Sequence, residues 1–159
     1  MSDAVVFQFS AGWCELALGS GAQRRAFRAT GIDDAFRHLA QAVAALAHPE
    51  PETCLQAVLW GDEPGGVFLD FATVAPDHLA LVVHALAIPN WITGTAAQWM
   101  PIRGEVLLKQ LAPRQELVTA FLHGFTAAGA TAGPDGSIAG WPHPYPAAAV
   151  TEIRDALGG

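Results

Sequence analysis

The sequence predicts an α+β fold, a mainly antiparallel sheet of about six or seven strands with two main helices on one face and a short C-terminal helix. Three observations lead there. Short runs of β-forming residues are separated by glycine- and proline-rich turns. Only one helical segment falls between strands, whereas a parallel sheet needs a crossover after nearly every strand. Two stripes of apolar residues recur at helical spacing, one early and one late. The expected order is β-β-β-α-β-β-β-β-α-α.

The elements follow in turn. Val5, Phe7 and Phe9 alternate along a first strand, Ala11-Gly12 interrupts it, and Trp13 to Leu18 resumes with β-type residues before Gly19-Ser20-Gly21. A third strand is expected from Gln23 to Ala29. Asp33-Asp34 then offers an N-cap, and Ile32, Phe36, Leu39, Val43 and Leu46 form the buried stripe of a helix ending near His48-Pro49. Cys54 to Trp60 and Val67 to Thr73 flank the turn Gly61-Asp62-Glu63-Pro64-Gly65-Gly66, a hairpin signal. His78 to Ile88 is the most continuous apolar stretch and reads as a buried central strand. From Asn90 to Arg103 the chain reads as a loop packed down by its aromatics, and Glu105 to Leu111 offers a last strand. Ala112-Pro113 opens a second helix with Leu117, Phe121, Leu122 and Phe125 on one stripe and Gly129 as its stop. Trp141 to Pro146 is too proline-rich for a helix interior, and Ala147 to Leu157 reads as a terminal helix.

At 159 residues, with no repeat and no second core, residues 1–159 read as a single domain. The composition is 52% hydrophobic and 14% charged, against about 25% charged in a typical domain. Fifteen acidic and eight basic residues give a formal charge of −7. The basic residues are scattered apart from the run Arg24-Arg25-Ala26-Phe27-Arg28, which argues against a nucleic-acid partner, since phosphate binding needs a basic face. Acidity of this size keeps a small domain soluble, and where it serves recognition it favours a basic protein partner. Met1-Ser2-Asp3-Ala4 lacks the basic region of a signal peptide, and no apolar run is long enough for a membrane span. Cytoplasm and no membrane association are the expectation.

No constellation points to catalysis. The histidines at 38, 48, 78, 84, 123 and 143 share no ligand spacing, and His78 and His84 would lie about 20 Å apart on one strand face. Cys14 and Cys54 fall in strand-like segments and lack the CxxC spacing of a redox or zinc site. No serine lies in a GxSxG elbow, and Gly19-Ser20-Gly21-Ala22 lacks the following helix of a phosphate cradle. No catalytic residue, metal ligand or cofactor is assigned. The candidate partner contacts are the hairpin-tip carboxylates Asp62 and Glu63, and Trp91, Trp99 and Trp141. These tryptophans lie in irregular segments, where they either pin the loops or form an exposed anchor surface.

The strand carrying Gly12-Trp13-Cys14-Glu15, the helix with Asp34-Ala35-Phe36, the hairpin Trp60 to Gly66 and the late Trp141-Pro142-His143-Pro144-Tyr145-Pro146 together resemble a group of uncharacterised small bacterial proteins. Members carry an acidic-acidic-Pro-Gly hairpin and a Trp followed by a His-Pro-aromatic-Pro segment. Tyr145 departs from the phenylalanine commoner there, and the hairpin strand is richer in alanine. The group carries no activity. Small acidic bacterial proteins of this kind are often interaction modules, toxin-neutralising immunity proteins among them.

The leading expectation is therefore a non-enzymatic protein-interaction module, immunity-like or regulatory. A small-molecule binder or enzyme would instead place His78, His84 or His143 at the rim of a pocket between sheet and helices. A structural homo-oligomer subunit would use the apolar surplus to bury an interface.

Overall fold

Ala11-Gly12 turns the first two strands back on each other. In the computed structural model, which describes residues 4–48, 55–62, 65–87 and 102–158, β1 (Ala4–Ser10) pairs antiparallel with β2 (Trp13–Gly19), Ser10 opposite Trp13. Both turn residues have positive φ, 50° at Ala11 and 84° at Gly12, the two-residue geometry whose twist matches that of the strands it joins. A 3-10 turn over Gly21–Gln23 leads into β3 (Arg25–Thr30), which pairs antiparallel with β2.

Asp34 starts α1 (Ala35–Ala47) by accepting a hydrogen bond from the Arg37 amide at 3.2 Å. The buried stripe contains Phe36, Leu39, Val43 and Leu46. Ile32, expected to begin that stripe, precedes the cap and stays 68% exposed. The far end of α1 is closed from a distance: an Arg114 Nη donates to the carbonyls of Ala47 and His48 at 3.1 and 3.0 Å, placing a cation where a helix leaves its last carbonyls unpaired.

The second half forms its own antiparallel sheet, β4 (Leu55–Asp62), β5 (Gly65–Ala75), β6 (His78–Leu86) and β7 (Arg103–Pro113), in that order. The hairpin between β4 and β5 holds Asp62 opposite Gly65, and β6 lies between β5 and β7. β7 is longer than the expected Glu105 to Leu111. Pro113 occupies the N-cap of α2 (Arg114–Gly129) rather than its first turn, and α3 (Ala147–Gly158) follows.

The seven described strands thus divide into sheets of three and four, not one sheet. The chain passes from β3 to β4 through α1, and the β3 carbonyl of Phe27 is taken by a side chain: the Trp60 indole N–H donates to it at 3.0 Å. Trp60 is fully buried. Buried residues of both sheets and all three helices, among them Phe7, Leu16, Phe36, Leu69, Phe71, Phe121, Phe125 and Ile153, belong to one cluster.

The proline-rich segment before α3 straps this core to the first hairpin. Gly12 N–H donates to the Gly140 carbonyl and Gly31 N–H to the Gly12 carbonyl, both at 2.8 Å. His143 Nε2–H donates to the Gly31 carbonyl at 2.7 Å, and the Tyr145 hydroxyl to the Phe125 carbonyl at 2.7 Å. Burial pushes the Tyr145 phenol above its ordinary pKa. Any side chain at Gly31 would run into Pro142, whose Cγ lies 2.5 Å from where a Cβ would stand.

Candidate interaction surface

Alternation along β4 to β7 sends Val58, Trp60, Leu69, Phe71, Leu79, Leu81 and Val83 into the core cluster. The intervening residues face away from it and line up across the four strands in three rows. The first row is Leu55, Ala72, Ala80 and Leu111; the second is Ala57, Asp70, Val82 and Lys109; the third is Leu59, Phe68, His84 and Val106. Nine of these twelve positions are apolar, and none of the twelve belongs to the core cluster. Leu55, Leu111 and Val106 are 66%, 65% and 51% exposed.

One charged group breaks this face. Asp70 receives a two-pronged contact from Arg103, Nε to Oδ2 at 2.6 Å and Nη2 to Oδ1 at 2.8 Å, the strongest form of side-chain ion pair. That bond holds the Arg103 guanidinium above its already high pKa. The guanidinium also lies 4.2 Å over the Phe68 ring. His84 completes the group, Nε2 at 3.4 Å from Asp70 Oδ2 and Nδ1 at 3.4 Å from the Gly104 carbonyl. Strand register therefore brings together a carboxylate, an imidazole and a guanidinium, with Phe68 beneath them. No hydroxyl or thiol nucleophile stands in the three rows.

The expected contact residues fare unevenly. Asp62 ends β4 and is half-buried. Glu63, Trp91 and Trp99 lie outside the described residues. Trp141 is not a surface anchor: it is 6% exposed, with its ring 5.7 Å from Phe9 and 5.6 Å from His143. It pins the strap, and its buried indole N–H has no hydrogen-bond partner. The three rows themselves were missed in the sequence. Their signal was the loss of period-two alternation in Val67-Phe68-Leu69 and in Leu79 to Val83, which are apolar on both faces.

Histidine chemistry is scattered. His48 Nε2 meets Glu152 at 2.9 Å and His78 Nδ1 meets Asp77 at 2.8 Å, holding the Asp77 carboxyl below its usual pKa. Among the described residues no group of three or more His, Cys, Asp or Glu is placed to hold a metal ion. Cys14 is fully buried in β2, and desolvation, reinforced by Glu15, pushes its thiol well above the ordinary range and keeps it protonated. Cys54 lies outside the described residues. Three clefts are lined by described residues: about 670 Å³ between the β2–β3 turn and β7, about 560 Å³ along β1 and α2, and about 220 Å³ beside Ile32 and His38. None of the three is lined by His78, His84 or His143. No helix among the described residues is long and apolar enough to cross a membrane. The chain matches no known family model, no curated protein and no solved structure.

Proposed function

We propose that this protein is a non-enzymatic interaction module that holds a protein partner against the outer face of its four-stranded sheet. The observation that carries the reading is the set of three cross-strand rows, nine apolar positions of twelve outside the core cluster, of which Leu55, Ala57, Val106 and Leu111 are exposed. In this reading the helices lie on the core side of the sheets and leave that face to the partner. An apolar centre with a polar border is the anatomy of a specific protein interface.

Charge selects the occupant. Asp62 ends β4, and the exposed Asp77 and Glu105 lie at the β5–β6 turn and on β7, in a chain of net charge −7. A basic partner with an apolar patch is steered toward this surface, whereas a second copy would bring carboxylates against carboxylates. Neutralising a basic toxin, as the resemblance to small bacterial proteins suggests, is one role that fits.

The test compares capture from a lysate of the native host by the wild type and by Leu55→Asp/Leu111→Asp, at low and moderate salt. Both positions are exposed, so the variant keeps its circular dichroism and melting temperature. A stoichiometric basic protein retained by the wild type, weakened by salt and lost by the variant, supports the reading. Equal capture by both forms, or recovery of the protein only with itself, overturns it.

A further inference from the structure

The seam between the two sheets holds a cleft that adjoins the outward rows at Leu59. β3 and β4 share no ladder, and the Trp60 indole links them from the core side through the Phe27 carbonyl. Alternation places Thr30 of β3, and Leu59 and Gly61 of β4, on the side away from the core. The residues that lead into α1 close this gap in part. A cleft of about 220 Å³ remains, with Thr30, Ile32, Asp33, His38, Leu59 and Gly61 in its lining.

Size and chemistry together select an occupant. Sites for drug-sized ligands run from about 300 to 1,000 Å³, so this cleft has room for a side chain rather than a cofactor. Ile32, 68% exposed, and Leu59 give it apolar walls. Its ionisable residues are Asp33 and His38, and neither lysine nor arginine lines it. Neither of those two side chains has a hydrogen bond or ion pair among the described residues. The adjacent Asp34 and Arg37 offset each other in an ion pair, which leaves the Asp33 carboxylate uncompensated. A partner lying on the outward rows reaches this cleft at Leu59, and covering a carboxylate without a counter-charge is costly. The partner therefore has to supply a cation there. Gly61 keeps the way in open, since a Cβ at that position would meet nothing within 4 Å.

We propose that this cleft is the anchor pocket for an arginine of the basic partner, its guanidinium paired with the Asp33 carboxylate and its methylene stem lying on Ile32 and Leu59. The planar fork meets a carboxylate with two parallel hydrogen bonds, which a lysine ammonium does not match. The Thr30 hydroxyl and a neutral His38 imidazole are acceptors for the remaining N–H groups. Arginine seated in a desolvated pocket is among the commonest anchors of protein interfaces. The inference rests on the proposed interaction reading and names the residue that the partner presents.

The probe is acetyl-arginine methylamide, titrated into the full chain and followed by amide chemical shifts in nuclear magnetic resonance. Lysine and citrulline derivatives with the same caps are the comparisons, citrulline keeping the shape of the side chain without its charge. The arginine probe is expected to shift the amides of Thr30, Asp33 and Gly61. It should bind at least tenfold more tightly than the citrulline form and several-fold more tightly than the lysine form. Asp33→Asn should cost at least tenfold in affinity. Gly61→Leu, which fills open space, should abolish binding while the circular dichroism stays unchanged. Leu55→Asp/Leu111→Asp, in the first row, should leave probe binding intact, so loss of partner capture and loss of probe binding are separate failures. Absence of binding, equal binding of the citrulline form, or indifference to both Asp33→Asn and Gly61→Leu would overturn the proposal.

Discussion

The two sheets follow the same alternation and treat their outer faces in opposite ways. On the three-stranded sheet the outward rows are Val6-Ala17-Ala26, Gln8-Glu15-Arg28 and Ser10-Trp13-Thr30. Glu15 faces Arg28 across the ladder, and the Arg28 guanidinium lies 4.1 Å over the Trp13 ring. That is a solvated face, polar in its middle row and aromatic only where a cation covers the ring. On the four-stranded sheet the corresponding rows are apolar except for Asp70, His84 and Lys109. An antiparallel sheet with one buried side does not need an apolar second side. The first sheet carries a polar middle row, so the second sheet's larger apolar surplus is what the proposed partner would cover.

The comparison assumes two sheets served by one core, and the sharpest way to break it is at their junction. Trp60→Phe leaves the Phe27 carbonyl without its donor and removes part of a fully buried ring. Destabilisation of about 3 kcal/mol is expected, read from the urea midpoint at constant slope. A loss below about 1 kcal/mol would show that the two sheets do not depend on this contact. Next in size is Arg114→Met, which strips the cation from the last carbonyls of α1. About 2 kcal/mol is expected, because charge-assisted bonds at a helix C-terminus are lost together. The same urea series measures it, and salt should shrink the difference.

Both contacts explain why the sequence disclosed the order of elements and not their grouping. Turn chemistry is local: Ala11-Gly12, the Gly61 to Gly66 hairpin and Ala75-Pro76-Asp77 mark their own positions, and Asp34 announces α1 within four residues. Trp60 and Phe27 are 33 residues apart, and Arg114 and Ala47 are 67 apart. No pattern along the chain says that an indole will donate to a carbonyl of a distant strand or that an arginine will cap another helix. The interaction surface was hidden for a related reason. A strand apolar on both faces reads the same whether its second face meets core or solvent, and His78 to Ile88 reads as a buried central strand. Only the register across four strands collects Leu55, Phe68, Val106 and Leu111 on one surface.

A smaller effect, opposite in sign, is expected on the first sheet. Ala11 holds φ 50° on an exposed turn, a conformation that strains alanine and that asparagine tolerates. Ala11→Asn should stabilise the protein by about 1 kcal/mol, seen as a rise in melting temperature. No change would mean that the Gly12 bonds to Gly31 and Gly140 fix the turn whatever residue stands there.

The smallest effect on stability is the one that bears most directly on the contrast between the faces. If the apolar rows exist for a partner, then Leu55→Lys, Val106→Thr and Leu111→Lys, made singly at positions at least half exposed, should each move the folding free energy by no more than about 0.5 kcal/mol. The same substitutions would be costly had the face been part of the core, where removing a leucine costs about 2–5 kcal/mol. A loss in that range would assign the rows to folding and withdraw the surface from recognition. Near-neutral values, measured beside equally neutral changes at Gln8 and Ser10 on the other sheet, would leave three exposed apolar positions that the fold does not require.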